Sequence, residues 1–291
     1  MNQDYLAKSL AFNNEVRIYA SRTTNLVEKA NQIASAYPTA AAALGRVLTA
    51  TAMMGCMLKG RETVTVRVNG GGPIGLILAD ANGSGHVRGY ASNPRVHFQY
   101  ANGKLNVGMA VGIEGDLFVT KDLGLKDYFT GQVPLQTGEI GDDFTYYFTQ
   151  SEQTPSAVGL GVLVSPENEV LAAGGFIIQI MPNATEETIV ALETALKTIK
   201  PVSDMIDQGM SPEDMIAALV GSDDFKVLET VPLAFVCGCD KEKFIPGLVS
   251  LGSTELDEMI KQDEGAEAVC HFCRQRYQFS ASELEALKSE C

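Results

Sequence analysis

The chain has 291 residues, of which 45% are apolar and 20% are charged, a composition that is ordinary for a soluble globular protein. Its net charge of -14 is unevenly distributed, because residues 183–291 carry 12 of the 14 excess negative charges. Phosphate backbones require a basic surface, so this charge pattern predicts no nucleic-acid binding by the C-terminal part of the chain.

The N-terminal residues predict a cytoplasmic location, since the first eight lack the basic and apolar regions of a secretion signal. The apolar segment Thr39–Leu58 is interrupted by Arg46, which leaves an unbroken run of 12 residues. A bilayer needs about 20 apolar residues in a crossing helix. We therefore expect a buried helix in this segment and no membrane partner.

Two kinds of hydrophobic periodicity in residues 1–180 predict a mixed domain of helices and strands. Helices are expected over Thr24–Ala36 and over Thr39–Leu58, which follows Pro38. Short runs of β-branched residues separated by tight turns favour mostly antiparallel sheets with the two helices packed on them. The predicted strands are Val16–Ala20, Thr63–Val68, Ile74–Ala79, Val87–Ala91, Leu105–Ile113, Gly115–Thr120, Phe144–Thr149, Val158–Val164 and Val170–Ala173.

Residues 181–231 are predicted to form a linker of short acidic helices. Apolar residues recur at helical spacing from Ile189 to Ile199, and Pro201 ends that helix. A second helix is expected between Ser211, its N-cap, and Gly221. Like charges clustered on short helices make this linker marginally stable by itself.

The last 60 residues, 232–291, form the third predicted region. A helix is expected over Thr254–Lys261, a strand over Arg274–Phe279, and a last helix from a capping box at Ser280 through Lys288. The chain is thus predicted to be an α+β protein with three parts. These are an N-terminal, mostly antiparallel sheet domain with packed helices (1–180), a helical linker (181–231) and a small C-terminal four-cysteine zinc domain (232–291).

Four of the six cysteines form two close pairs in this C-terminal region. Cys237 and Cys239 form a C-x-C pair, and Cys270 and Cys273 form a C-x-x-C pair thirty residues further on. Two thiol pairs from separate segments are typical of a closed tetrahedral zinc site, which leaves no position for a catalytic water. Structural zinc supplies on the order of 10–16 kcal/mol in small finger peptides, so we expect the metal to be the main reason that this region folds.

Spacing alone leaves several functions open for these thiols. Spacing by itself favours a permanent zinc staple, since most cytosolic four-cysteine zinc sites are structural; the other possibility is a redox switch in which oxidation removes ligands and unfolds the region. A thiol–disulfide oxidoreductase would use Cys270 and Cys273, but such enzymes carry C-x-x-C at a helix N-terminus, whereas a strand is expected here. A zinc-ribbon nucleic-acid module conflicts with the acidic charge of this region.

The other candidate residues are expected to have structural rather than chemical roles. Cys56 lies in the apolar helix and is expected to be a small buried hydrophobe, and Cys291 is expected to be a bystander at the terminus. His271 lies inside the second pair and is expected to point away from a metal held by its neighbours. Three linker methionines are expected to fill core space rather than to bind other proteins; these are Met205, Met210 and Met215.

The sequence resembles a known family over essentially the whole chain. Two segments carry this resemblance in addition to the four cysteines. They are Val87-Arg88-Gly89-Tyr90-Ala91-Ser92-Asn93-Pro94 and Tyr146-Tyr147-Phe148-Thr149-Gln150-Ser151-Glu152-Gln153-Thr154-Pro155-Ser156. Together with the C-x-C and C-x-x-C pairs, they are similar to the heat-shock protein 33 family, the redox-regulated 33-kDa chaperonins. The calculated mass of 31.1 kDa agrees with this resemblance.

The resemblance implies a cytoplasmic, ATP-independent holdase, not an enzyme, that is inactive while reduced and zinc-bound. It implies that Cys237, Cys239, Cys270 and Cys273 are both the zinc ligands and the redox-active residues. It further implies that oxidation releases zinc and forms Cys237–Cys239 and Cys270–Cys273 disulfides. The tail and linker then unfold, and a homodimer holds unfolding client proteins.

Overall fold

The structure, a computed structural model, describes residues 3–263 and 265–290. It is of the predicted α+β class and falls into two compact units, Met1–Val236 and Cys237–Cys291. The strands are β1 (Tyr5–Ala11), β2 (Val16–Arg22), β3 (Thr63–Asn69), β4 (Ile77–Asn82), β5 (His86–Ala91), β6 (Asp116–Asp122), β7 (Phe129–Pro134), β8 (Ser156–Val164), β9 (Val170–Ile180), β10 (Phe225–Pro232), β11 (Ala234–Phe235), β12 (Gly265–Val269) and β13 (Arg276–Ser280). The helices are α1 (Thr24–Ala34), α2 (Pro38–Gly55), α3 (Val107–Val111), α4 (Gly141–Gln150), α5 (Glu186–Thr198), α6 (Val202–Asp207), α7 (Pro212–Val220), α8 (Ile245–Val249), α9 (Ser253–Asp263) and α10 (Ala281–Leu287).

Two sheets form the framework of the first unit. One has the strand order β10-β1-β2-β9-β8 and is antiparallel throughout. The other has the order β11-β5-β4-β3-β6-β7, in which the β11–β5 pair is parallel and the remaining pairs are antiparallel. The prediction of mostly antiparallel sheets is therefore confirmed.

Helix α2 packs against strands of both sheets and is the most deeply buried helix of the first unit. It begins at Pro38, whose fixed φ suits a first helical position, and its residues are buried almost throughout. Small alanine side chains let the helix approach the strands closely. This confirms the prediction of a buried helix here, and no helix in the described part of the chain is long and apolar enough to cross a membrane.

Helices α5, α6 and α7 cover one face of the first sheet. Alternate residues of β2, namely Val16, Ile18 and Ala20, pack into the cluster that these helices share with β1 and β9. The helices contribute seven buried side chains to it; these are Leu192, Val202, Met205, Ile206, Met215, Ile216 and Leu219. The cluster confirms that the linker methionines fill core space, with Met210 partly buried against it.

The small second unit has a hairpin of β12 and β13 and a limited apolar core. Within its described residues, the buried members of that core are Leu256, Phe279, Leu284 and Leu287. Ser280 and Glu283 form the expected capping box at the start of α10. A core of this size leaves the unit with little stabilisation from apolar burial alone.

Two predicted strands are helices in the structure. Leu105–Ile113 contains α3, in which the side chain of Asn106 accepts the Met109 N–H at 2.9 Å. Phe144–Thr149 lies within α4, where Asp143 caps the first turn. In both segments the buried apolar residues recur at i, i+3 and i+4, which is the spacing of a helix face.

Five strands of the structure were not predicted, namely β1, β7, β10, β11 and β12. Two of them show little burial. Strand β10 lies at a sheet edge with most of its residues exposed, and β7 is likewise a largely exposed edge strand. The linker region thus contains a strand, β10, as well as helices. The division into 1–180, 181–231 and 232–291 stays a prediction about folding units, although the linker helices pack on the first sheet.

Candidate metal centre

The second unit brings together the four cysteines of the two thiol pairs. Their sulfurs all lie within 4.8 Å of one another, with Cys270 buried and the other three half-buried. Two close contacts join the pairs: the sulfurs of Cys237 and Cys270 are 3.7 Å apart, and those of Cys239 and Cys273 are 3.3 Å apart. Residues 33 and 34 positions apart in sequence therefore form one cluster.

The C-x-x-C pair lies in the turn between β12 and β13. The Cys270 N–H donates to the Gln275 carbonyl at 2.9 Å, and the Arg274 N–H donates to the Cys270 carbonyl at 2.9 Å. Arg274 adopts a left-handed conformation with φ of 60°, which closes the turn. The backbone of Gln275 acts to lower the pKa of Cys273, but burial and the other cysteines outweigh it.

The C-x-C pair is held by its own backbone and by side chains from later in the chain. The backbone of Cys239 acts to lower the pKa of Cys237, although burial raises it more. Lys243 contacts the Gly238 carbonyl and forms an ion pair with Asp240 at 3.2 Å. The Tyr277 hydroxyl, on β13, donates to the Cys239 carbonyl at 3.0 Å and to the Cys239 sulfur at 3.2 Å.

The thiols differ in how readily they ionise. Burial raises the pKa of Cys237, and burial raises that of Cys273 to about 12. Burial acts in the same direction on Cys239, but hydrogen bonds from Tyr277 and from the other cysteines outweigh it and lower its pKa to about 7. Of these three thiols, Cys239 therefore ionises most readily.

The donor set fits a zinc ion. Ligands held at about 2.3 Å from one ion lie about 3.8 Å apart when they form a tetrahedron, and the sulfur contacts of 3.7 and 3.3 Å lie close to and somewhat below that value. Soft thiolates select zinc or similar metals over magnesium or calcium. The four cysteines would hold such an ion in a closed site, where it would act as a structural cross-link between the two pairs.

The other candidate residues lie outside this cluster. Among the described residues, the group able to bind a metal contains the four cysteines, and the orientation expected for His271 stays a prediction. Cys56 ends α2 and is fully buried, which confirms it as a small core residue, and burial raises its pKa to about 11. The prediction for Cys291 falls outside the described residues.

Tyr277 is the site residue that the sequence analysis missed. The alternating pattern of the predicted strand indicates no chemical role for Tyr277. Tyr277 also lies 38 positions from Cys239, so no local motif connects the two residues. The structural signal is the donation of its hydroxyl to a sulfur atom.

Comparison with known proteins places the chain in a family. Residues 4–280 match the family model described as Hsp33 protein. The chain belongs to the Hsp33 family. It is 55% identical over 291 residues to the 33 kDa chaperonin of Staphylococcus carnosus, with 100% of this chain and 99% of the relative covered. It is 56% identical to that of Geobacillus kaustophilus over 286 residues, covering 98% of this chain and 97% of the relative.

A solved structure agrees with this membership in the Hsp33 family. The crystal structure of the 33 kDa chaperonin (heat shock protein 33 homolog) from Thermotoga maritima matches with a TM-score of 0.91 at 35% identity, covering 99% of both chains. The family is one of chaperones and not of enzymes. The C-x-x-C pair also lies in a hairpin turn rather than at the helix N-terminus that an oxidoreductase would require.

Proposed function

We propose that this protein is an oxidation-activated, ATP-independent holdase whose four-cysteine zinc site is the switch. In the reduced state, Cys237, Cys239, Cys270 and Cys273 hold one zinc ion and the chaperone is inactive. Oxidation of the thiols ends metal binding, unfolds the second unit and destabilises the linker helices. The observation that carries this proposal is the cluster of four sulfurs within 4.8 Å in a member of a chaperone family.

The small core of the second unit supports unfolding as the output of the switch. Four buried apolar side chains provide little stabilisation against the entropy of ordering a segment of this size. A metal bound by four thiolates offsets that entropy, and its binding free energy is then folding free energy. Loss of the thiolate ligands therefore removes the largest stabilising contribution to this unit.

The chemical step balances with peroxide as the oxidant. One thiolate attacks a peroxide oxygen, the O–O bond breaks and a sulfenic acid forms; a second thiolate displaces water from it to form the disulfide. Two thiols and one peroxide thus give one disulfide and two waters. We propose Cys237–Cys239 and Cys270–Cys273 as the pairs, since close sequence neighbours stay close after the unit unfolds.

The alternative pairing is defined by the folded site. Two close sulfur contacts join Cys237 to Cys270 and Cys239 to Cys273. A disulfide formed before unfolding would follow these contacts, whereas one formed during or after unfolding would follow the sequence. Mapping the disulfides by mass spectrometry therefore reports whether oxidation precedes unfolding.

Release of the linker helices would create a surface for clients. Helices α5, α6 and α7 cover an apolar face of the first sheet that includes Ile18, Phe176 and Ile178. If they detach, this face and their own apolar side chains become available to unfolding client proteins by hydrophobic burial. The proposal also includes a homodimer, and a cytoplasmic location where thiols persist in the reduced state.

The test follows metal binding and chaperone activity together. Reduced, zinc-loaded protein is treated with peroxide under mild heating. Zinc release is then monitored with a chromogenic chelator, and light scattering of a thermally unfolding client is recorded in parallel. We expect zinc release to coincide with newly acquired suppression of aggregation. Retained zinc with no gain of activity would mean a permanent zinc staple, and holdase activity of the reduced protein equal to that of the oxidised one would also contradict the switch.

A further inference from the structure

The two thiol pairs differ in what surrounds their sulfurs. Backbone hydrogen bonds act on Cys237 and Cys273, whereas Cys239 receives the hydroxyl of Tyr277 at 3.2 Å. The same hydroxyl lies 3.0 Å from the Cys239 carbonyl, so its single proton is shared between the oxygen and the sulfur of one residue. This contact joins β13 to the C-x-C pair.

Tyr277 is held in place by one contact of its backbone and one contact of its ring. Its backbone pairs with Ala268 in the β12–β13 hairpin, and its ring packs on Phe244 at a centroid distance of 5.1 Å. Both contacts survive removal of the hydroxyl, because they involve the backbone and the ring. The O–H group is thus presented to Cys239 by a fixed support.

A hydrogen bond to a thiolate has two chemical effects. It stabilises the negative charge, which strengthens a site that must hold four such charges around one ion. It also withdraws electron density from sulfur, which lowers its nucleophilicity toward peroxide. Both effects favour the reduced, metal-bound state over the oxidised one.

We infer that Tyr277 is a positioning residue that protects Cys239 from oxidation and so sets the oxidant threshold of the switch. The inference rests on the proposed function for its biological meaning, but its chemical content concerns only the sulfur of Cys239. Loss of the hydroxyl leaves that sulfur more electron-rich and removes the contact of Tyr277 with the C-x-C segment.

The decisive variant is Tyr277→Phe, which keeps the ring and deletes the hydroxyl. The matched control is Tyr128→Phe, the same chemical change at an exposed tyrosine of the first unit. Three quantities are compared in full-length protein: the zinc dissociation constant by chelator competition, the sulfur-to-cobalt charge-transfer absorption of Co(II)-loaded protein, and the rate of thiol loss with peroxide. Differential alkylation and mass spectrometry then identify the cysteine that is oxidised first.

For Tyr277→Phe we expect zinc affinity to fall by about tenfold or more, as is typical when a hydrogen-bond partner of a metal ligand is removed. The charge-transfer band should move to longer wavelength, because an electron-rich sulfur gives up an electron more easily. Thiol loss should be faster by about threefold or more, with Cys239 modified earlier than in the parent. The control should match the parent in all three quantities.

An unchanged charge-transfer band and an unchanged rate of thiol loss would overturn the inference. Weaker zinc binding with an unshifted band would likewise overturn it, since that combination indicates a packing role for the side chain. These outcomes are independent of client binding. If the parent releases zinc on oxidation but gains no holdase activity, the proposed function fails while the comparison of Tyr277→Phe with its control still decides the role of Tyr277.

Discussion

The two units of this chain are stabilised by different physical means. In the first, α2 is buried against strands of two sheets, and a second apolar cluster holds the linker helices on one of those sheets. In the second, four buried apolar side chains accompany four clustered sulfurs. Apolar burial does not respond to oxidants, whereas thiolate ligation does. A redox signal can therefore act on one part of a chain when only that part depends on sulfur for its fold.

Removal of the metal is the strongest test of this difference. Chelation should abolish the fold of the second unit, because zinc contributes on the order of 10–16 kcal/mol in comparable small domains. The first unit should keep its fold. Hydrogen-exchange mass spectrometry checks this: amides of β12 and β13 should lose protection while those of β3 and β4 retain it. Equal protection of both units before and after chelation would contradict the comparison.

Substitution of one ligand should approach the same result. Cys270→Ser removes a thiolate from the cluster, and we expect zinc affinity to fall by more than about 100-fold, the upper end of the effect seen for indirect partners. The second unit should then be loose under reducing conditions. Cys56→Ser is the matched control, since Cys56 lies in the core of the first unit. If Cys270→Ser binds zinc as tightly as the parent does, the four-thiolate assignment is wrong.

Truncation of one buried leucine in each core allows the stabilities of the two units to be compared directly. Leu284→Ala and Leu48→Ala each truncate a fully buried leucine, which costs about 2–5 kcal/mol of unfolding free energy. The same loss should unfold a larger fraction of the second unit, because its core is smaller. Urea titration with hydrogen-exchange readout should show earlier exposure of α10 in Leu284→Ala, together with faster zinc release on peroxide treatment. An identical urea midpoint for α10 in parent and variant would count against a marginal second unit.

The smallest expected effect concerns the attachment of the linker. The Glu15 carboxylate accepts the Thr185 N–H at 2.8 Å and its hydroxyl at 2.9 Å, and these hydrogen bonds, the backbone one foremost, lower the pKa of Glu15. A lowered folded-state pKa means that the stabilisation is present above the ordinary value of 4.5 and is lost as the pH falls through the folded-state value. Acidification should therefore loosen the start of α5.

Glu15→Gln checks this by hydrogen exchange of the first turns of α5, with rates corrected for intrinsic pH dependence. The variant should be less protected than the parent at pH 7 and should lose less protection on acidification. Glu193→Gln, at an exposed position of α5, is the control and should follow the parent. Parallel pH profiles of parent and Glu15→Gln would assign the acid sensitivity of α5 to other groups.

The wrong predictions at α3 and α4 and the missed strands β7 and β10 have two different physical causes. In α3 and α4, clustered apolar residues suggested strands, and the deciding signals were caps at Asn106 and Asp143 together with i, i+3, i+4 burial. In β7 and β10, exposed edge positions carried no alternation for a pattern to detect. Strand β10 forms because β1 supplies its hydrogen-bonding partners, with Lys8 opposite Glu229 in an ion pair of 2.7 Å.

Local chemistry in the sequence was sufficient for the α+β class, the buried helix α2, the capped helices α7 and α10 and the identity of the four thiols. Thiol spacing, capping residues and strong periodicity act over a few positions, so one chain segment contains the whole signal. Only the tertiary structure decided the strand order, the cover of α5–α7 on the first sheet, the cross-pair contacts of the sulfurs and the contact of Tyr277 with Cys239. Those features depend on segments distant in sequence meeting in space, and no local pattern records which partner a backbone edge or a hydroxyl group will find.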